Sequence, residues 1–225
     1  MTYGLGRLID PDPRDHNYPI TTHATKPRPP RRHWWNEAWS GNQGSTPTCV
    51  AFAFTHWLND GPDPYTLLKS RRPGVNTTEL YCEAQKLDPW DGDCDDNLYD
   101  GTSVRAGAKV LKRWGLISEY RWAFTLDQAI DWLANEGTIV AGTWWYEGMS
   151  YPNADGVISV AGQRVGGHAY LLNGVDTGAE LVRFKNSWGQ SYGKDGNAFM
   201  SFSVLNHLLA WSGELCIPIP GEGAS

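Results

Sequence analysis

The apolar pattern of this chain changes period at Gly137, and no other feature constrains its fold as strongly. Upstream of it, apolar residues recur at helical spacing. Residues 49–59 (CVAFAFTHWLN) are apolar on nearly every side, which predicts a helix buried between other elements and stopped by Asp60-Gly61-Pro62. A second helix is expected over 78–86, with Thr77 or Thr78 near its N-cap and Glu79 in its first turn. A third is expected over 103–114, with Val104, Ala108, Val110 and Leu111 inward and Gly115 as its stop. A fourth is expected over 125–135, with Leu126, Ala129, Ile130 and Leu133 inward. Downstream the period is two. Strands are expected at 138–142, 157–160, 168–175, 181–185 and 198–202, with turn clusters between them. Helices first and strands second predict an α+β protein of two lobes, with a cleft between them as the natural place for a site.

A chain of 225 residues suits one domain of two lobes, and 40% apolar against 20% charged residues argues against global disorder. Residues 34–220 are expected to form that domain, and 221–225 a short tail. Residues 1–33 read as an extended, Pro-rich arm packed on the domain. Its Asp10-Pro11-Asp12-Pro13-Arg14-Asp15 run is expected to be non-helical, and Lys26-Pro27-Arg28-Pro29-Pro30-Arg31-Arg32 favours polyproline II. A surface strap and a basic docking peptide both fit the arm.

The formal net charge of −6 argues against a nucleic-acid partner held by a broad basic field. No apolar run approaches the ~18 residues of a membrane span, and Met1 to Ile20 carries no secretory apolar core. The expected chain is a monomer without a membrane partner, in the cytoplasm, or acting in a host cell if phage-encoded. Cys49, Cys82, Cys94 and Cys216 are too few for a disulfide scaffold, and no Cys-x-x-Cys supports structural zinc. Cys82 and Cys94 can pair in an oxidising compartment; without a signal they are expected to stay reduced. Asp91-Gly92-Asp93-Cys94-Asp95-Asp96 lacks the EF-hand glycine and terminal glutamate and reads as a solvated acidic loop. No metal or cofactor is expected.

The candidate chemistry begins at Cys49. It opens the predicted buried helix, where free N–H groups and the helix dipole favour a thiolate; a small buried core cysteine is the bland alternative. A thiolate nucleophile needs a proton carrier. His56 lies about 10 Å along the same helix and cannot reach the thiol. His16, His23 and His33 lie in the arm, and His207 lies in a polar-flanked segment. His168, in Gly166-Gly167-His168-Ala169-Tyr170, starts a strand behind two glycines that let other chain segments approach closely. Alone it equally suits a structural histidine. Asn186, in Lys185-Asn186-Ser187-Trp188-Gly189, follows a strand. It has the side chain to hold an imidazole N–H, and alone it is a turn asparagine. Cys, His and Asn in this order form a candidate nucleophilic triad. Trp188 suits both a cover over the His–Asn bond and ordinary core packing. Gln43, six residues before the cysteine, can offer a side-chain N–H which, with the Cys49 N–H, makes an oxyanion hole.

These residues resemble the papain-like cysteine proteases. The resemblance is carried by Gln43-Gly44, Cys49-x-Ala51-Phe52, Gly167-His168-Ala169 and Lys185-Asn186-Ser187-Trp188-Gly189, with Gly193 and Gly196 beyond. His168 lies 119 residues and Asn186 137 residues after Cys49. Those partners usually lie about 130–150 residues downstream, so one or more loops are short. The Asp10–Asp15 run and the segment from Asp100-Gly101-Thr102-Ser103 to Gly115 are similar to the short bacterial and phage members, and the likeness spans roughly residues 5–217. It implies a helical left lobe and an antiparallel, β-barrel-like right lobe with the active-site cleft between them. It also implies catalytic roles for Cys49, His168, Asn186 and Gln43, with Asp100, Gly101, Gly167 and Trp188 around the substrate. Asp100-Gly101 would line the non-primed side. Two departures stand out. Thr46 replaces the structural half-cystine and Val50 the aromatic after the nucleophile. The 48 residues before Cys49 are too few for a long inhibitory pro-segment.

The expected activity is hydrolysis of a peptide or protein substrate through a thioester. Three alternatives remain open. One is another thiol acyl-transfer enzyme: an isopeptidase, transamidase or cell-wall amidase. A second is a binding module on this scaffold. The third is a glycan binder using Trp34-Trp35, Trp39, Trp144-Trp145 and Trp211, for which core packing is the competing role.

Overall fold

The computed structural model describes residues 3–20, 31–60, 75–94 and 99–221. Five α-helices are described: α1 (Cys49–Asn59), α2 (Thr77–Gln85), α3 (Val104–Arg113), α4 (Leu126–Asn135) and α5 (Phe202–Ala210). Seven strands accompany them: β1 (Arg32–Trp34), β2 (Ile117–Ala123), β3 (Ile139–Tyr146), β4 (Arg164–Asp176), β5 (Leu181–Lys185), β6 (Asn197–Ser201) and β7 (Glu214–Pro220).

Helix α1 is buried as its sequence predicts: every residue from Cys49 to Leu58 is inaccessible or nearly so. It lies in a core with α2 and α3. There Gly107 of α3 lets the helices close, since a Cβ at Gly107 would meet the Phe54 ring at 2.5 Å. The other helices begin on side-chain caps. Asn76 accepts from Thr78 N, Ser103 from Ala106 N and Thr125 from Gln128 N.

The strands form one antiparallel sheet in the order β2-β7-β3-β4-β5-β6, with β1 added beside the C-terminal end of β4. Its second core holds Trp145, Tyr170, Phe184 and Trp188. The fold is α+β, with a helical lobe and a sheet lobe. The right lobe is built on the antiparallel sheet that the expectation called β-barrel-like. Hydrogen bonding among the described strands ends at β2 and β6, so the sheet is open.

Several local expectations are corrected. The division into helices first and strands second is broken by β2, and by α5 within the strand half. Strand β2 is half-buried through its middle, from Glu119 to Arg121, and joins the sheet only through β7, near the C-terminus. The 157–160 segment makes one isolated bridge, Val157 to Phe199, and no strand. Pro13–Asn17 forms a 3-10 turn inside the supposedly non-helical run. Pro13 sits in the first helical positions, where its missing N–H costs nothing, and Asp12 accepts from Arg14 N. Most of the polyproline reading (26–30), His23, and Asp95 and Asp96 of the acidic loop lie outside the described residues. Cys82 and Cys94 are joined as a disulfide. No helix among the described residues is long and apolar enough to cross a membrane.

Candidate active site

Helix α1 and strand β4 bring two of the candidate residues to the lobe boundary. Cys49 is the first residue of α1, and β4 packs across that helix. The backbone N–H groups of Ala169, the residue after His168, and of Gly6 and Val50 favour the ionised form of the Cys49 sulfur. His168 is fully buried, and its Nε2–H donates to Asn186 Oδ1 at 2.8 Å. Asn186 Oδ1 also accepts from Ser187 N at 2.8 Å, which fixes the amide. His168 Nδ1 has no hydrogen-bond partner among the described residues. Trp188 flanks the imidazole with ring centroids 5.1 Å apart, and Trp145 presents an edge at 4.7 Å. The bond between His168 and Asn186 is therefore dry, with Trp188 2% exposed.

Gln43 reaches the same place by a pairing that no local pattern announces. Residues 41–43 run antiparallel to 187–189, with Gln43 N donating to Ser187 O at 2.8 Å and Gly189 N to Gly41 O at 3.0 Å. The Ser187 hydroxyl donates to Gln43 Oε1. The amide is thereby oriented with Nε2 outward, where it donates to Thr46 O at 2.5 Å and to Gly4 O at 3.2 Å.

The remaining candidates behave differently. Gly101 lies against the Gly6 backbone, where a Cβ would meet Gly6 O at 2.3 Å, but its polar groups are engaged by α2. Its N–H donates to Tyr81 Oη at 2.9 Å and its carbonyl accepts from Gln85 Nε2 at 3.0 Å, both on α2. Thr102 pairs with residues 6–8: its N–H donates to Gly6 O and its carbonyl accepts from Leu8 N, each at 2.9 Å. Asp100 is exposed and lines a cavity of about 560 Å³ with Gln43, Thr46, Pro47, Thr48 and Tyr99. Gly167 accepts from Gly6 N and Arg7 N, both at 3.1 Å. Thr102, Ser187 and the 3–8 segment carry no sequence signal as site residues, since their roles depend on pairing across the fold. His56 is a core residue whose Nε2 accepts from Gly41 N at 3.2 Å. Among the described residues no group of His, Cys, Asp or Glu is placed to hold a metal ion.

Burial dominates the electrostatics. It pushes the Cys49 thiol up to about 11 against the three backbone N–H groups, and pulls the His168 imidazole down to about 4 against its bond to Asn186. In this geometry both groups are neutral at pH 7.

The whole chain superposes on solved cysteine proteases. Xylellain from Xylella fastidiosa matches with a TM-score of 0.73 and 17% identity, over 98% of this chain and 97% of that one. The chain has the papain-like fold. Procathepsin L2 from the Tenebrio molitor larval midgut matches at 0.64 and 18%, over 96% and 78%. The Amb a 11 cysteine protease of ragweed pollen, in its proform, matches at 0.66 and 16%, over 98% and 75%. No protein-family model and no curated protein matches the sequence.

Proposed function

We propose that the chain is a cysteine peptidase that hydrolyses peptide bonds in a peptide or protein substrate. The observation that carries this reading is the His168–Asn186 bond. It occupies one ring nitrogen and leaves the other without a partner, on a strand that packs against the helix beginning at Cys49. The cysteine proteases that share the fold support the same reading.

In the proposed cycle His168 Nδ1 takes the Cys49 thiol proton. The sulfur then attacks the scissile carbonyl carbon, forming an S–C bond while the carbonyl oxygen takes the negative charge. Gln43 Nε2 and Cys49 N–H are the proposed donors to that oxygen. Collapse breaks the C–N bond as His168 returns its proton to the leaving amine. Water then gives a proton to His168 and attacks the thioester carbon. The C–S bond breaks, the acid product leaves and the thiol is restored. Thr102 is the proposed backbone edge for the substrate, in place of Gly101, whose polar groups are engaged by α2.

The test is digestion of a complex peptide library by the wild-type chain and by Cys49→Ala in reducing buffer, read by mass spectrometry. New termini that require Cys49 are expected. Equal cleavage by Cys49→Ala would remove every thioester mechanism.

A further inference from the structure

A cavity of about 500 Å³ lies between residues 7–16, the end of β2, the end of α5 and the start of β7. None of Cys49, His168, Asn186 and Gln43 lines it. Its size falls within the ~300–1,000 Å³ of small-molecule sites. Ile9, Pro11, Phe124, Leu209 and Leu215 give it apolar walls.

The sheet register sets its polar groups side by side. Trp122 of β2 pairs with Cys216 of β7, two residues after Glu214. Side chains two apart on a strand share a face, so the indole and the Glu214 carboxylate stand on the same side of the sheet. Arg7 joins them. Its Nε donates to Glu214 Oε1 and its Nη2 to Ser212 O, both at 2.8 Å, and its side chain is 1% exposed. The third nitrogen of this buried cation, Nη1, has no partner among the described residues, and neither has Trp122 Nε1. Both residues line the cavity. A buried donor without an acceptor is costly, and folded proteins carry few of them.

The same cavity holds unused acceptors. Asp10 takes Ser103 Oγ at 3.2 Å and Arg105 Nε at 3.3 Å on Oδ2, and no described residue donates to its Oδ1. Glu214 takes Arg7 on Oε1, and no described residue donates to its Oε2. Four carboxylates line the cavity: Asp10, Asp12, Asp15 and Glu214. Three guanidinium groups, from Arg7, Arg14 and Arg105, pair with them, which leaves one negative charge. That excess disfavours a simple anion and attracts an ammonium group. A carbonyl oxygen answers the two donors, an ammonium answers the free carboxylate oxygens, and an aliphatic side chain answers the walls. The amino end of an apolar peptide carries all three.

We propose that this cavity is a binding site for the amino end of a short apolar peptide, separate from the candidate active site. The peptide's carbonyl oxygens accept from Arg7 Nη1 and Trp122 Nε1, its ammonium donates to Asp10 Oδ1 and Glu214 Oε2, and its first side chain packs among Phe124, Leu209 and Leu215. The site stands apart from the peptidase reading, and its test needs no turnover.

The probe is L-leucyl-L-alanine amide, titrated into the ¹⁵N-labelled full-length chain carrying Cys49→Ala, so that the candidate active site cannot turn it over. The indole N–H signal of Trp122 is assigned by its loss in Trp122→Phe. Folding is checked by circular dichroism and Tm. A saturable shift of that signal is expected, with a Kd of about 1 mM or tighter. The N-acetylated probe, which lacks the ammonium, and 3-methylbutylamine, which lacks the carbonyl, are each expected to bind at least about tenfold more weakly. Asp10→Asn is expected to weaken the probe at least about fivefold and to leave the acetylated form within about twofold. Absence of a saturable shift at Trp122 overturns the proposal. So does an acetylated probe that binds as tightly as the free amine, or a probe affinity that Asp10→Asn leaves unchanged. Should Trp122→Phe not fold, calorimetric titration of the Asp10→Asn chain decides, because asparagine keeps an acceptor for Ser103 and Arg105.

Discussion

Replacing Lys185 by methionine is expected to destabilise the protein by about 3 kcal/mol at pH 7. Lys185 ends β5 directly before Asn186, and Asp60 follows α1, which begins at Cys49. Lys185 Nζ and Asp60 Oδ2 are 2.8 Å apart, with side chains 2% and 0% exposed. The pair ties the helix that presents the thiol to the strand that presents the amide. The gross attraction at that separation is about 6 kcal/mol for an effective dielectric of 20. Much of it offsets desolvation, but removing one partner leaves the other charge buried, which typically costs about 3–5 kcal/mol. Asp60 keeps backbone donors at Ala38 N (2.8 Å) and Trp39 N (3.4 Å), which places the cost near the low end.

The pH dependence sharpens the test. Burial raises the Asp60 carboxyl and Lys185 opposes that rise, so Lys185→Met raises it further. A carboxyl whose folded pKa lies above its unfolded value binds more protons when folded, and the stability it gives is lost as pH rises through the folded pKa. The deficit of the Lys185→Met variant should therefore be largest at pH 7 and shrink toward pH 5. Urea unfolding followed by tryptophan fluorescence at both pH values measures it. Adding Asp60→Asn, which keeps an acceptor for Ala38 N, should recover part of the loss. A deficit under about 1 kcal/mol at pH 7, or one unchanged at pH 5, would refute the reasoning.

Two further predictions concern the site and its surroundings. Ser187→Ala frees the Gln43 amide to rotate, and it should lower kcat about tenfold with KM within about twofold, less than the ~100-fold or more of losing an oxyanion donor outright. Cys49 alkylation should not change, and an unchanged kcat would remove Ser187 as a positioning residue. Burial lowers His56 to about 3, with the charge of Lys185 adding to the shift. The unfolded chain therefore binds its proton first, near pH 6.5, and stability falls as pH drops from there toward 3. The slope is up to about 1.4 kcal/mol per pH unit, and His56→Gln should flatten the unfolding free energy against pH, from urea titrations, by up to that much; parallel curves would show that His56 does not titrate in this way.

Strong local signals were enough for the helix that begins at Cys49. An almost wholly apolar run closed by Asp-Gly-Pro placed α1 at Cys49–Asn59, where the structure has it, and the period-two run at 181–185 matches β5. In both, the residues that decide the conformation are neighbours in sequence. Strand β2 escaped the reading because Ile117–Ala123 lacks a regular apolar and polar alternation and its partner β7 lies near the far end of the chain. The 157–160 run failed the other way. Its apolar residues fit a strand, but they make a single bridge.

Sequence alone determined which residues are chemically able to form a site, and the class of elements that carries Cys49 and His168. Periodicity and capping are local, so they survive reading in one dimension. Tertiary structure decided what faces what. It sent the Gly101 polar groups to α2, paired Thr102 with Gly6 and Leu8, set Ser187 against Gln43 across 144 residues, and laid residues 3–8 along Gly44, Thr102 and Gly167. A short stretch with two glycines has no pattern of its own. Its conformation comes from hydrogen bonds to residues roughly 40 to 160 positions away, and those exist only once both lobes have formed.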